Sequence, residues 1–262
     1  LYKSMKIKIG IIGYGKMGQA RHKILKEFKD IAKIVRIVDE KKLNVRKVKC
    51  STNYNDIIKD PEINTVFIGT PNYLNHKITI ECLKAKKNIF CEKPPTINLS
   101  QMKRVIKYEK KYKTKLIYGF NHREHESIAD MKKIIDKKKF GKILWIRGRY
   151  GKSVDKDFFS DWRSKKKYAG GGILMDQGIH MLDLFLYLAG DFNKIKSSLS
   201  NLYWKGDIED NAFIILENTN TKVSASLHST MTQWRHIFSL EIFLEKGYLV
   251  LNGLKTSSNS YG

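Results

Sequence analysis

The sequence predicts two α/β domains: a parallel sheet covered by helices over residues 1–120, then a domain with a mostly antiparallel sheet over 121–262. Three observations predict it. Short β-branched runs alternate with helical patterns up to about residue 120. A glycine-rich turn joins the first strand to the first helix. Beyond residue 120, strand-like runs succeed one another with few helices between them.

In order, residues 6–12 (KIKIGII) form a buried strand, 13–18 the glycine-rich turn, and 16–28 a helix. Residues 32–38 make a second strand, which ends in Asp39. The run 64–69 (NTVFIG) is another strand, closed by Thr70-Pro71. A helix over 74–84, a strand over 88–91, the break Glu92-Lys93-Pro94-Pro95, a helix over 99–112 and a strand over 115–119 complete the first domain. In the second, a helix is expected over 127–137 and an extended segment over 142–150. The triplet Gly170 to Gly172 introduces a helix over 173–188. Strands follow at 195–203, 212–216, 222–228, 237–243 and 248–251.

Composition narrows the class. The chain of 262 residues is 42% hydrophobic and 29% charged, which suits a packed core and argues against disorder. No run approaches the roughly 18 apolar residues of a membrane span, so no membrane partner is expected. The start Leu1-Tyr2-Lys3-Ser4-Met5 is too short and polar for a signal peptide, and Met5 reads as the natural start. Cys50, Cys82 and Cys91 show neither metal-ligand spacing nor a disulfide framework, so no metal is expected and a reducing cytoplasm is the simplest location. The 50 Lys and Arg against 26 Asp and Glu leave a net charge of +24. The lysines are spread along helical stretches and no zinc-finger or RNP-type motif occurs, so a lysine-rich surface is preferred to a nucleic-acid partner. Attraction of an anionic substrate stands as the lesser alternative.

Gly13-Tyr14-Gly15-Lys16-Met17-Gly18 matches GxGxxG between a strand and a helix, the context that gives this motif meaning. Gly13 permits the turn, Gly15 lets the backbone approach a diphosphate, and Gly18 lets helix and strand pack closely. The diphosphate then meets backbone N–H groups and the positive end of the helix dipole. Asp39, at the end of the second strand, is placed to accept hydrogen bonds from ribose hydroxyls, which favours NAD. Lys41 and Lys42 follow and can offset its charge, so NADP stays open.

Three segments carry candidate chemistry: Thr70-Pro71-Asn72 with Asn75 and His76, then Glu92-Lys93-Pro94, then Gly170 to Asp183. Asp176 and His180 are four apart and share a helical face, with Asp183 three residues further. Histidine suits proton transfer near neutrality, and a lysine ammonium can stabilise charge building on a substrate oxygen. Taken singly, His180 reads as a satisfied core residue, Lys93 as a surface residue and His76 as an ordinary helix residue.

Together, GYGKMG, TPNYLNH, CEKP, NHR at Asn121 to Arg123, DWR at Asp161 to Arg163 and GGGILMDQGIHMLDL resemble the Gfo/Idh/MocA (glucose–fructose oxidoreductase, inositol dehydrogenase, rhizopine catabolism) oxidoreductase family over about residues 5–253. The resemblance implies an N-terminal Rossmann dinucleotide-binding domain and a second α/β domain with a large open sheet, often used for oligomer contacts. It implies Lys93, Asp176 and His180 as the catalytic set. Gly13, Gly15, Lys16, Met17, Gly18, Asp39, Thr70, Pro71, Asn72, His76 and Glu92 would line the cofactor. Arg123, Trp162 and Arg163, together with Lys93, Asp176 and His180, would lie near a sugar, cyclitol or nucleotide-sugar substrate. With Tyr168, the first three are the positions where substrate choice is expected to reside. A homo-oligomer, dimer or tetramer, is expected. Family members continue for several tens of residues beyond the point reached at Gly262, so the second domain reads as C-terminally short. The rival reading is a regulatory or scaffold protein that senses NAD(P) on the same fold without turnover.

Overall fold

Ile9 to Ile12 are all buried in β1 (Ile7–Ile12), as a parallel strand covered on both faces requires. The computed structural model describes residues 7–255 and 260–261; the segment 1–6, with Met5 and the Lys6 of the first expected strand, lies outside them. The chain divides into two compact units, Leu1–Gly119 and Phe120–Gly262.

In the first unit, α1 (Lys16–Leu25) leads to β2 (Ala32–Val38), β3 (Lys49–Ser51) and α2 (Asn55–Ile58). Then come β4 (Thr65–Ile68), α3 (Asn72–Lys84), β5 (Asn88–Cys91), α4 (Leu99–Tyr112) and β6 (Leu116–Tyr118). The sheet order is β3-β2-β1-β4-β5-β6, with every pair parallel. The chain winds outward from β1 and returns to β4 on its other side. That reversal opens a crevice at the carboxyl ends of β1 and β4, where Gly13 and Thr70 lie. The short β3 and α2 are additions to the sequence expectation. Burial pushes the Cys82 thiol up to about 12 and raises Cys91 as well, so both pack as inert apolar groups.

Asn98 caps α4 by accepting the Gln101 N–H at 2.9 Å, and Lys113 ends it in the left-handed region at φ 51°. Lys47, Lys86, Lys138, Lys205 and Lys222 also have positive φ, so every such non-glycine among the described residues is a lysine. Glycine normally takes these positions because a Cβ is strained there. Lys113→Gly should therefore raise stability by about 0.5–1 kcal/mol, read from urea unfolding. A loss of stability would show that the lysine side chain outweighs the backbone strain.

The second unit holds α5 (Glu126–Asp136), β7 (Ile143–Gly151), α6 (Lys166–Ala169) and α7 (Ile179–Ala189). The strands β8 (Lys194–Ser200), β9 (Asn211–Glu217), β10 (Ser224–Thr230), β11 (Ile237–Leu244) and β12 (Gly247–Asn252) follow. The sheet order is β12-β11-β7-β10-β9-β8; β7 and β10 are parallel and the remaining pairs antiparallel. One face packs Ile146, Leu227 and Leu240 against Met181, Leu184 and Phe185 of α7, with Ile128 and Met131 of α5. The opposite face exposes Trp145, Phe213, Ile215, Tyr248 and Val250. There Trp145 stacks on Phe243 at 4.0 Å between ring centroids.

Three of the boundaries that differ from expectation do so for identifiable local reasons. The strand expected over 195–203 stops at Ser200, because the amides of Leu202, Tyr203 and Trp204 all donate to the buried Asp210 carboxylate. The strand expected from 222 begins at Ser224, because Lys222 is in the left-handed region. The helix expected over 173–188 opens as a π-turn over Leu174–Gly178 before α7. No helix of the described residues is long and apolar enough to cross a membrane, and none of their His, Cys, Asp and Glu groups is placed to hold a metal ion.

Candidate active site

The glycine-rich turn owes its shape to contacts that leave no room for side chains. Gly13 has φ 87°, and a Cβ there would meet the Gly69 carbonyl at 2.7 Å. A Cβ on Gly18 would come within 2.1 Å of the Gly13 carbonyl oxygen. At Gly15 an added Cβ meets nothing within 4 Å, so the backbone beside the N-terminus of α1 faces open space. With Lys16, Met17 and Gly18 in the first turn, this is a cradle that fits a diphosphate. Asp39 follows β2; its carboxylate accepts the Tyr14 amide at 2.7 Å and the Lys41 amide at 3.1 Å. The Tyr14 hydroxyl lies 2.5 Å from His22 Nδ1, so the turn is held from both sides.

The loops after β4 and β5 are tied together. Asn75, fully buried on α3, accepts from the Thr70 hydroxyl at 2.8 Å and donates to the Pro94 carbonyl at 2.9 Å and the Glu92 carbonyl at 3.4 Å. Lys93 thus stands between two residues whose carbonyls are fixed by one amide. Arg21 of α1 donates twice to Glu92, at 2.7 and 3.1 Å, and lies 4.8 Å over the Phe90 ring. Pro71 and Asn72 begin α3, and His76 lies half-buried one turn further.

In the second unit the π-turn is anchored by Glu209, which accepts the Gly172 amide at 2.7 Å and the Leu174 amide at 3.2 Å. A carboxylate there suits the positive end of the helix. Asp176 accepts from Lys152 Nζ at 3.4 Å and from the Gln177 side-chain Nε2 at 3.3 Å. One turn later His180 is 4% exposed, stacked on His122 at 4.0 Å with 13° between the ring planes. Phe120 meets His180 edge-on at 6.0 Å. Arg123 makes two hydrogen bonds to Asp183, at 2.7 and 2.5 Å, and lies 4.9 Å over Tyr187. Trp162 and Arg163 form a turn closed on Asp161, with the guanidinium 4.5 Å over the indole.

The expected cofactor residues and Lys93 therefore belong to the first unit, at the carboxyl edge of its sheet. Asp176 lies in the π-turn of the second unit and His180 in the first turn of α7 that follows it, while Arg123 is engaged by Asp183 and Arg163 by Asp161 and Trp162. Sequence assigns no role to Tyr14, Arg21, His122 and Glu209, and names Asn75 only as a member of a candidate segment. Asn75 and His122 lie inside quoted motifs, and a polar residue buried in such a motif was the available signal. Arg21 and Glu209 meet partners 71 and 37 residues away, and nothing local marks them.

Burial lowers His22, His76, His228 and His236 from the ordinary 6.5, with a neighbouring cation adding to the effect in each. Below that value the unfolded chain binds more protons than the folded one, so stability falls as pH drops. The urea midpoint should be lower at about pH 5.5 than at about pH 7.5. An equal or higher midpoint in acid would count against this linkage.

The doubly wound parallel sheet of the first unit, with its glycine-rich turn at the carboxyl edge, is the architecture of a dinucleotide-binding domain. The chain belongs to the GFO/IDH/MocA family: residues 7–120 match the oxidoreductase-family NAD-binding Rossmann fold, and 128–250 match the GFO/IDH/MocA C-terminal domain. It is 35% identical to levoglucosan dehydrogenase of Pseudarthrobacter phenanthrenivorans over 57% of this chain, which spans only 39% of that relative. It is 27% identical to myo-inositol 2-dehydrogenase of Thermotoga maritima over 96% of this chain and 77% of the relative. A solved levoglucosan dehydrogenase in complex with NADH and levoglucosan superposes with a TM-score of 0.89 at 26% identity, covering 95% of this chain and 73% of that one.

Proposed function

We propose that the chain catalyses reversible hydride transfer between NAD(H) and a secondary alcohol or ketone of a sugar, cyclitol or nucleotide sugar. One observation carries this reading: a buried histidine, His180, one turn beyond the Asp176 carboxylate, in a chain whose other unit is an NAD-binding Rossmann domain. Relatives named for levoglucosan and myo-inositol support the polyol class.

Bound NAD supplies the hydride acceptor. Gly13, Gly15, Lys16, Met17 and Gly18 hold its diphosphate, Asp39 its ribose, and Thr70, Pro71, Asn72, His76 and Glu92 complete the lining. His180 takes the hydroxyl proton as the carbon loses its hydride, and returns it in the reverse direction. The Lys93 ammonium hydrogen-bonds the substrate oxygen and offsets charge developing there. Asp176 binds a neighbouring hydroxyl, and Arg123, Trp162 and Arg163 contribute to substrate choice. The exposed aromatic and aliphatic face of the second sheet serves a homo-oligomer, and the protein works in the cytoplasm without nucleic acid.

The test is titration of NADH and NADPH by fluorescence, with Asp39→Ala alongside. Loss of a charge-assisted hydrogen bond should weaken NADH about tenfold or more and narrow the preference over NADPH. Failure of the folded wild-type chain to bind either cofactor would overturn the proposal.

A further inference from the structure

We propose that His122 is a positioning residue for His180, acting through its ring as a fixed plate and not through acid–base chemistry. The idea rests on the reading of His180 as the proton-transferring group.

The two imidazoles lie face to face, 4.0 Å apart and 13° from parallel. In that arrangement the N–H bonds of both rings point sideways, so neither ring can pass a proton to the other. What the contact does is fix a plane. His122 is itself held in orientation: Nε2 lies 2.9 Å from the Tyr150 hydroxyl and Nδ1 lies 3.3 Å from Asn121 Oδ1. Tyr150 is 1% exposed on β7, a central strand of the sheet, and Phe238 of β11 meets its ring edge-on at 5.3 Å. The plane of His180 is thereby referred to a buried residue on a central strand of the second unit's sheet. Phe120 blocks rotation from another side, with its ring 84° from that of His180.

A group that takes a proton as hydride leaves must keep its accepting nitrogen aimed along one direction. A small misorientation there lowers the rate much more than the binding. A branched aliphatic residue at 122 would fill the space but offer no flat face, leaving the imidazole free to turn.

The experiment compares wild type, His122→Leu and His122→Phe in the full chain, each first checked for a cooperative thermal melt. Leucine removes the flat ring, whereas phenylalanine keeps it and removes both nitrogens. His122→Leu should lower kcat about tenfold with the KM for NAD changed less than about twofold, and His122→Phe should recover most of the loss. In parallel, NMR of the labelled His180 ring reads the ring-current shift from its neighbour. That shift should vanish in His122→Leu and return in His122→Phe, whether or not a substrate is turned over. Unchanged kcat and an unchanged His180 signal in His122→Leu would overturn the proposal. So would a His122→Phe variant that regains the ring-current shift but not the rate, because the nitrogens would then be what matters. Absence of turnover in wild type would fall on the dehydrogenase reading, and the NMR comparison alone would then decide whether His122 orients His180.

Discussion

Replacing His180 with Asn should lower turnover about a hundredfold or more while leaving NADH binding close to wild type. Asparagine is of similar size and can hydrogen-bond a substrate oxygen, but it cannot take up the hydroxyl proton. The split between rate and binding follows from placement: His180 lies on α7, and the diphosphate cradle lies in the other unit on Gly13 to Gly18. Saturating turnover with a panel of polyols, and NADH fluorescence on the same preparations, measure the two quantities. A well-folded variant that turns over at the wild-type rate would remove His180 from the chemistry. If wild type binds NADH but turns over nothing in the panel, the NAD-sensing rival gains at the expense of the dehydrogenase.

The second large effect is expected at Gly18. A methyl group there would sit 2.1 Å from the Gly13 carbonyl oxygen, and Gly13 has no room of its own for a Cβ, which would meet the Gly69 carbonyl and the Thr70 amide nitrogen within 2.9 Å. The clash is backbone against backbone, so no side-chain rotation relieves it. Gly18→Ala should therefore cost about 3 kcal/mol of stability and abolish NADH binding. Gly15→Ala is the informative control. Its Cβ meets nothing within 4 Å and its φ of −68° is open to alanine, so the melt should be unchanged while NADH binding weakens. Equal melting of Gly18→Ala and wild type in urea would show that α1 and β1 are packed less tightly than described.

These expectations draw on features of unequal visibility in the sequence. Ala32–Val38, Asn88–Cys91 and Leu99–Tyr112 were legible to the residue. Continuous β-branched runs mark buried parallel strands, and the amphipathic α4 carries a capping asparagine. Lys49–Ser51 was not legible, because three residues with one apolar member carry no periodicity. The early end of β8 depends on Asp210 collecting amides from up to eight residues away. The turn at Lys222 was hidden because lysine gives no hint of a left-handed backbone. The π-turn escaped because one extra residue in the hydrogen-bond ring leaves the apolar pattern nearly intact. In the site, motif residues announced themselves by spacing. Arg21 and Glu209 act through partners brought close only by folding, and no local pattern could reveal them, whereas His122 sits inside the NHR motif and only its partner is hidden.

The placement of β7 between β10 and β11 also bears on how the chain reaches its native state. In the first unit each newly made strand finds a neighbour already waiting, so that sheet can close once Tyr118 has emerged from the ribosome. In the second, the central strand β7 is made first and must wait for both of its neighbours: Arg147 meets Glu241 only after a further 94 residues have been made. Until Leu244 appears, β7 stands with its β11 side open, and Trp145 and Ile146 have no partners there. Closing so distant a contact is slow, and an unpaired central strand is a template for intermolecular pairing in the interval. The C-terminal half of this chain is thus where chaperone dependence and aggregation during expression should concentrate.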